Sequence, residues 1–135
     1  MNNFLLALCV LTLMAIAVSS TPTVLEENVK LLNSIDLDSV LKNKRILKNY
    51  IDCVIGTKPC TKEGSALKES WKDGLDKGCE ECSEEEQRKV NKIVKHIYVN
   101  EPDWYKLLIN NFDKDGKYQE RYDAYIQKVV SDPTL

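Results

Sequence analysis

Ile46-Leu47-Lys48-Asn49-Tyr50-Ile51-Asp52-Cys53-Val54-Ile55, followed by Gly56, is the stretch that decides the fold. Its apolar residues recur at i, i+1, i+4, i+5, i+8 and i+9, the period of an α-helix and not of a strand. Ile46, Leu47, Tyr50, Ile51, Val54 and Ile55 make this apolar face wide, so the helix needs apolar neighbours on more than one side. Gly56, Thr57 and Pro59 stop it.

The same period extends outward in both directions. Upstream, Ser34, Asp36 and Asp38 offer caps for a short helix carrying Leu37, Val40 and Leu41 on one face. Downstream, Thr61 opens a helix with the stripe Leu67, Trp71 and Leu75, closed by Gly78. Ser83 with Glu86 three residues later fits a capping box, and the run Glu84-Glu85-Glu86 suits the positive end of a helix dipole. The helix it starts presents Val90, Ile93, Val94 and Ile97. Pro102 is placed to begin another, lined by Trp104, Leu107, Leu108 and Phe112. After the turn Asp113-Lys114-Asp115-Gly116, a last helix shows Tyr118, Tyr122, Tyr125, Ile126 and Val129. Strand signals, repeats and flexible linkers are lacking. The expected fold class is all-α, a compact bundle of about six helices.

Residues 1–20 contain no charged side chain and run apolar from Phe4 to Val18, ending on Ala17, Ser19 and Ser20. A short apolar run closed by small residues is the pattern of a secretory signal peptide, and it falls short of a membrane anchor. Residues 21–135 are then the mature domain, about the size that supports one modest core. No second segment is apolar enough to span, so stable membrane insertion is not expected and the mature chain should be soluble, secreted and extracellular. The formal net charge is −2, with both signs mixed along the chain. Without a basic stripe, nucleic acid is excluded as a partner.

Loss of residues 1–20 removes Cys9 and leaves an even set spaced Cys53-x6-Cys60-x18-Cys79-x2-Cys82. In a short secreted chain this reads as two disulfides. Arithmetic leaves three connectivities open. Pairing of sequence neighbours is the simplest, and its short loops would contribute only about 2 kcal/mol each. A four-cysteine zinc site is the rival, disfavoured in an oxidising compartment.

The cysteine spacing occurs together with an ordered set of short words. These are Asp36-Leu37-Asp38, Asn43-Lys44-Arg45-Ile46-Leu47-Lys48-Asn49-Tyr50, Pro59-Cys60-Thr61, Leu67-Lys68, Cys79-Glu80-Glu81-Cys82, Asn100-Glu101-Pro102-Asp103-Trp104 and Gly116-Lys117-Tyr118. From about Ile35 to Tyr125 the chain closely resembles the insect chemosensory, or OS-D-like, proteins. The resemblance implies six helices around an internal apolar channel, with disulfides Cys53–Cys60 and Cys79–Cys82. It also implies binding of linear aliphatic compounds such as fatty acids and pheromone-like or odorant-like esters and alcohols. It implies no catalysis and no cofactor, and the chain is expected to act as a monomer. Two departures mark where ligand shape should differ from that of relatives. Where the family has tyrosines before the first helix, this chain has Val24-Leu25-Glu26-Glu27. Where a Pro-Asp-Ala-like word is usual, it has Lys72-Asp73-Gly74 preceded by Trp71.

Apolar stripes too wide to be filled by their own side chains suit a carrier, because small-molecule sites are concave, mostly apolar and sparsely polar. Each buried CH₂ of a ligand contributes roughly 0.8 kcal/mol without any charged contact. The resemblance places Tyr50 where the family has a channel-gating tyrosine, and Tyr118 and Tyr122 where it has an aromatic pair. The remaining candidate lining is Ile46, Val54, Leu67, Leu75, Val90, Ile93, Val94, Ile97 and Trp104, each of which also suits plain core. Arg45 beside Asp36 or Asp38 reads as a structural ion pair. Catalytic readings fail: His96 is the only histidine and falls on the charged side of its helix with Lys89 and Lys92. Asp113-x-Asp115-Gly116 places its glycine too early for a calcium loop, whose position twelve would be Ala124. The alternative function is an extracellular interaction or developmental signalling protein whose channel is incidental.

Overall fold

The computed structural model describes residues 24–77 and 82–135. Residues 1–20, expected as a signal peptide, lie outside the described residues, as do Gly78 and Cys79. Among the described residues there are seven helices and no strand: α1 (Val24–Asn33), α2 (Leu37–Lys42), α3 (Lys44–Ile55), α4 (Lys62–Lys77), α5 (Glu84–Asn100), α6 (Pro102–Phe112) and α7 (Gln119–Val130). The all-helical class is as the sequence implies, but the expected count of six is too low. The added element is α1, with Glu26 and Glu27 in its first turn and Lys30 in its last. Those charges oppose the helix dipole at both ends. α1 packs on α4, so its apolar side acquires a partner only in the folded chain.

Caps explain the boundaries. Asp36 accepts from Ser39 N at 3.2 Å and starts α2. Asn43 closes α2 and opens α3 at once, its side chain accepting from Ile46 N at 3.2 Å. Gly56 ends α3 with φ +88°, a left-handed position that a residue with a Cβ disfavours. Thr61 Oγ1 accepts from Gly64 N at 3.1 Å at the start of α4. The capping box forms as read: Glu86 N donates to Ser83 Oγ at 3.2 Å and Ser83 N to Glu86 Oε2 at 3.0 Å.

Cys53 is bonded to Cys60, with Cα atoms 5.0 Å apart, tying the end of α3 to the loop that enters α4. Gly64 lets α4 pass close to this bridge, since a Cβ there would lie 2.8 Å from Cys53 Sγ. α3 packs on α2, α4 and α6, while α5 contacts α2, α6 and α7. The wide apolar face of α3 therefore has neighbours on several sides. Its buried residues Ile51 and Val54 join Ile97 of α5 and Leu108 of α6 in one cluster. Among the described residues no helix is long and apolar enough to cross a membrane.

Leu107, expected on the buried face of α6, is 46% exposed; the inward face is Trp104, Tyr105, Leu108 and Phe112. The expected Arg45 ion pair with Asp36 or Asp38 is replaced: Asp38 pairs with Lys92 of α5 at 2.5 Å, and Asp36 is engaged by Ser39.

Candidate functional site

The chemistry open to this fold lies in an apolar interior. Around Ile51, Val54, Ile97 and Leu108 pack Ile55, Leu67, Trp71, Ile93, Trp104, Tyr105 and Phe112, each partly buried. Of the residues expected to line a channel, Val54, Leu67, Ile93, Ile97 and Trp104 thus come together in one cluster from α3, α4, α5 and α6. Val94 is buried. Ile46 and Val90 are 41% and 39% exposed and stand at the surface of the bundle. The side chain of Leu75 lies outside what is described.

Tyr50 is half-buried on α3; burial, and next the charge of Glu63, hold its phenol above the ordinary value. Tyr118 and Tyr122 meet edge to face with ring centroids 6.3 Å apart. Tyr105, not among the expected lining residues, meets Tyr98 edge to face at 5.1 Å. Its phenol is pushed up to about 12, mainly by burial. The i, i+3, i+7 series Tyr105, Leu108, Phe112 carried the signal for it. Tyr125 donates to Asn91 Oδ1 at 2.6 Å and is likewise pushed up to about 12 by burial.

The outer face of Trp104 looks onto a different setting. Lys44, Arg45, Lys48, Asn49, Lys58 and Trp104 line an open groove of ≈ 540 Å³. The Nζ atoms of Lys44 and Lys48 stand 5.2 and 5.7 Å from the centre of the Trp104 ring. Lys44 also pairs with Glu101 at 2.9 Å. Beside the groove, the buried carboxylate of Asp52 receives Lys48 and, at 3.2 Å, Lys58. The Lys48 hydrogen bond, opposed by desolvation and aided by Lys58, holds this carboxyl below its ordinary value. A lowered folded-state pKa stabilises above the unfolded value of about 3.9 and stops doing so as pH falls through the folded value. Asp52→Asn is therefore expected to cost about 1 kcal/mol at pH 7. Thermal melts should show that difference shrinking below about pH 4; an undiminished difference at pH 2.5 would contradict the assignment.

The acidic turn works as a turn. Asp113 is 8% exposed, and its carboxylate accepts from Tyr118 N at 3.1 Å. Among the described residues no cluster of His, Cys, Asp or Glu is suited to hold a metal ion. His96 is half-buried, and its Nδ1 lies 3.4 Å from Asn100 Nδ2.

Residues 29–120 match the model of the insect pheromone-binding family A10/OS-D. The chain belongs to this family. The OS-D match runs from within α1 to the first turn of α7, so it encloses the whole apolar cluster. The chain is similar to Ejaculatory bulb-specific protein 3 of Drosophila melanogaster, 36% identical over 122 residues, which is 90% of this chain and 92% of that protein. Its fold is similar to that of a chemosensory protein solved in complex with bromo-dodecanol. The TM-score is 0.63 at 31% identity, covering 73% of this chain and 95% of that one. The fold is also similar to that of antennal chemosensory protein A6 from the moth Mamestra brassicae. There the TM-score is 0.59 at 31% identity, over 70% of this chain and 92% of that one.

Proposed function

We propose that this protein is a secreted, monomeric, non-enzymatic carrier that holds one linear aliphatic molecule between its helices. The observation that carries the reading is the wide apolar face of α3, whose Ile51 and Val54 meet apolar residues of α5 and α6 in a shared cluster. Support also comes from the chemosensory relative of the same fold, whose complex holds bromo-dodecanol. A flexible alkyl chain would lie among Val54, Leu67, Ile93, Ile97 and Trp104, with half-buried Tyr50 at the entrance. Fatty acids, alcohols and pheromone-like esters are the compound classes this interior suits. Cys79–Cys82 is the second disulfide of the reading, and residues 1–20 are its secretion signal.

Apolar burial as the driving force has measurable consequences. Affinity should rise with alkyl chain length and depend little on salt. A ligand that binds only the folded state stabilises it by about 2.7 kcal/mol at a hundredfold excess over Kd. For a domain of this size that corresponds to a melting temperature raised by roughly 10 °C. Thermal melts of delipidated protein with even-numbered linear alcohols provide the test. A shift that grows with chain length and is equal at low and high salt is expected; no shift with any chain length contradicts the carrier reading.

A further inference from the structure

Lys44, Arg45, Lys48 and Asn49, which line the open groove beside Trp104, form two i, i+4 pairs on one face of α3. Lys58 folds back to that face from the loop after Gly56, its Nζ 3.4 Å from Asn49 Oδ1 and 3.2 Å from Asp52 Oδ2. Trp104 completes the groove from α6 while packing against the central cluster. The charges gathered here do not cancel. Glu101 answers Lys44, and Asp52 answers Lys48 and Lys58. Among the described residues exposed Arg45 has no carboxylate or hydrogen-bond partner. Four cations against two carboxylates leave a surplus of two positive charges, on a chain whose formal net charge is −2.

The two carboxylates lie low, Asp52 buried and the Glu101 side chain 16% exposed, whereas Lys44 and Lys58 reach into solvent. An ammonium carries three donors and a guanidinium five, so one ion pair leaves each cation able to bind an acceptor arriving from outside. Spacing narrows what that acceptor is. Lys44 and Lys48 are about one helical turn apart, a rise of about 6 Å. Residues i and i+2 of an extended peptide point to one side and lie about 6.6 Å apart. Two carboxylates on alternate residues of an extended segment match both this step and the surplus of two charges. A free dicarboxylate would stay largely in water in so open a groove, and exposed ion pairs alone are weak. A protein partner adds contacts around the groove, and charge complementarity speeds its encounter. An anionic bilayer fits less well, because the groove is concave, its aromatic ring is packed inward and the chain as a whole is negative.

We propose that this groove is a docking surface for an extended acidic segment of a partner protein, whose alternate carboxylates are received by Arg45 and by the row Lys44 and Lys48. The surface lies outside the apolar interior, so it stands independently of the carrier reading.

The experiment is an amide NMR titration of the ¹⁵N-labelled protein with three end-capped serine pentapeptides. One carries glutamate at its second and fourth positions, one at its second and third, and one carries glutamine at its second and fourth. The alternate-glutamate peptide should shift the amides of Lys44, Arg45, Lys48, Asn49 and Lys58 and the indole N–H of Trp104. It should bind about threefold tighter than the adjacent-glutamate peptide and about tenfold tighter than the glutamine one. Raising salt from about 20 to about 200 mM should weaken it severalfold, since screening acts on exposed charges. Arg45→Gln should cost about threefold and Arg45→Glu about tenfold. Lys128→Glu, at an exposed site on α7, makes the same change in net charge as Arg45→Glu and should leave binding as it was. Circular dichroism establishes that each variant is folded. No saturable shift with the alternate-glutamate peptide, equal affinity for either control peptide, or equal losses in Arg45→Glu and Lys128→Glu would overturn the proposal. So would glutarate binding as tightly as the peptide. Binding of heparin or of phosphatidylglycerol vesicles that Arg45→Glu abolishes, where the peptide does not bind, would overturn it in favour of that partner.

Discussion

Leu108→Ala is expected to destabilise the protein by about 3–4 kcal/mol, the largest loss of any single truncation discussed. Leu108 is 1% exposed and sits where α6 meets Ile51 and Val54 of α3 and Ile97 of α5. Truncation removes buried methyl and methylene groups and leaves a space bounded by three helices that cannot all close on it. A domain of this size has only about 5–15 kcal/mol to lose. The melting temperature should fall by roughly 15 °C. Neighbouring Leu107, 46% exposed, serves as the control, and its alanine variant should change stability by less than about 0.5 kcal/mol. Equal losses at the two positions would mean that the inward face of α6 is misassigned.

Ile93→Trp should weaken ligand binding at least tenfold while the protein remains helical. Ile93 is half-buried and packs against the central cluster from α5. A tryptophan there adds ring atoms to the volume in which an alkyl chain would lie. Overpacking a closed core costs about 1–3 kcal/mol. The partial exposure of this position gives the larger ring room to tilt outward, so the fold should survive better than with a tryptophan at Val54, which is 2% exposed. Circular dichroism establishes the fold and a displacement titration the affinity. Unchanged affinity in a folded variant would place the ligand away from this cluster.

These effects show which parts of the protein were legible in its sequence. The span Ile46–Gly56 reads correctly because its signals are local: helical period, a left-handed stop at Gly56 and a cysteine one turn before it. The capping box at Ser83 and Glu86 is local in the same way. What escaped depends on partners distant in sequence. α1 has an apolar side that finds its partner only in α4, and its end charges, Glu26, Glu27 and Lys30, are a weak signal by themselves. The phase of α6 is ambiguous because Leu107 and Tyr105 are both apolar enough to face inward; the series Tyr105, Leu108 and Phe112 favours Tyr105, and its packing against Tyr98 agrees. Arg45 is nearer to Asp38 in sequence, whereas folding brings Lys92 to it from α5. Asp52 gives little sign of its role, because a carboxylate beside an apolar stripe looks misplaced. The lysine one turn before it was the available clue, since a pair at i and i+4 meets on one helix face.

The candidate site divides along the same line. Val54, Leu67, Ile93, Ile97 and Trp104 converge as periodicity suggests. Ile46 and Val90 share that periodicity yet stand at the surface, because a stripe this wide always has edges.

The central claim is that the helical interior takes up a linear aliphatic molecule. A fluorescence displacement titration of the delipidated protein against a series of linear alcohols tests it most directly. The account predicts saturable binding of one molecule per chain, with affinity that strengthens as the alkyl chain lengthens. No saturable displacement at any chain length would contradict it and leave an extracellular interaction role as the better reading.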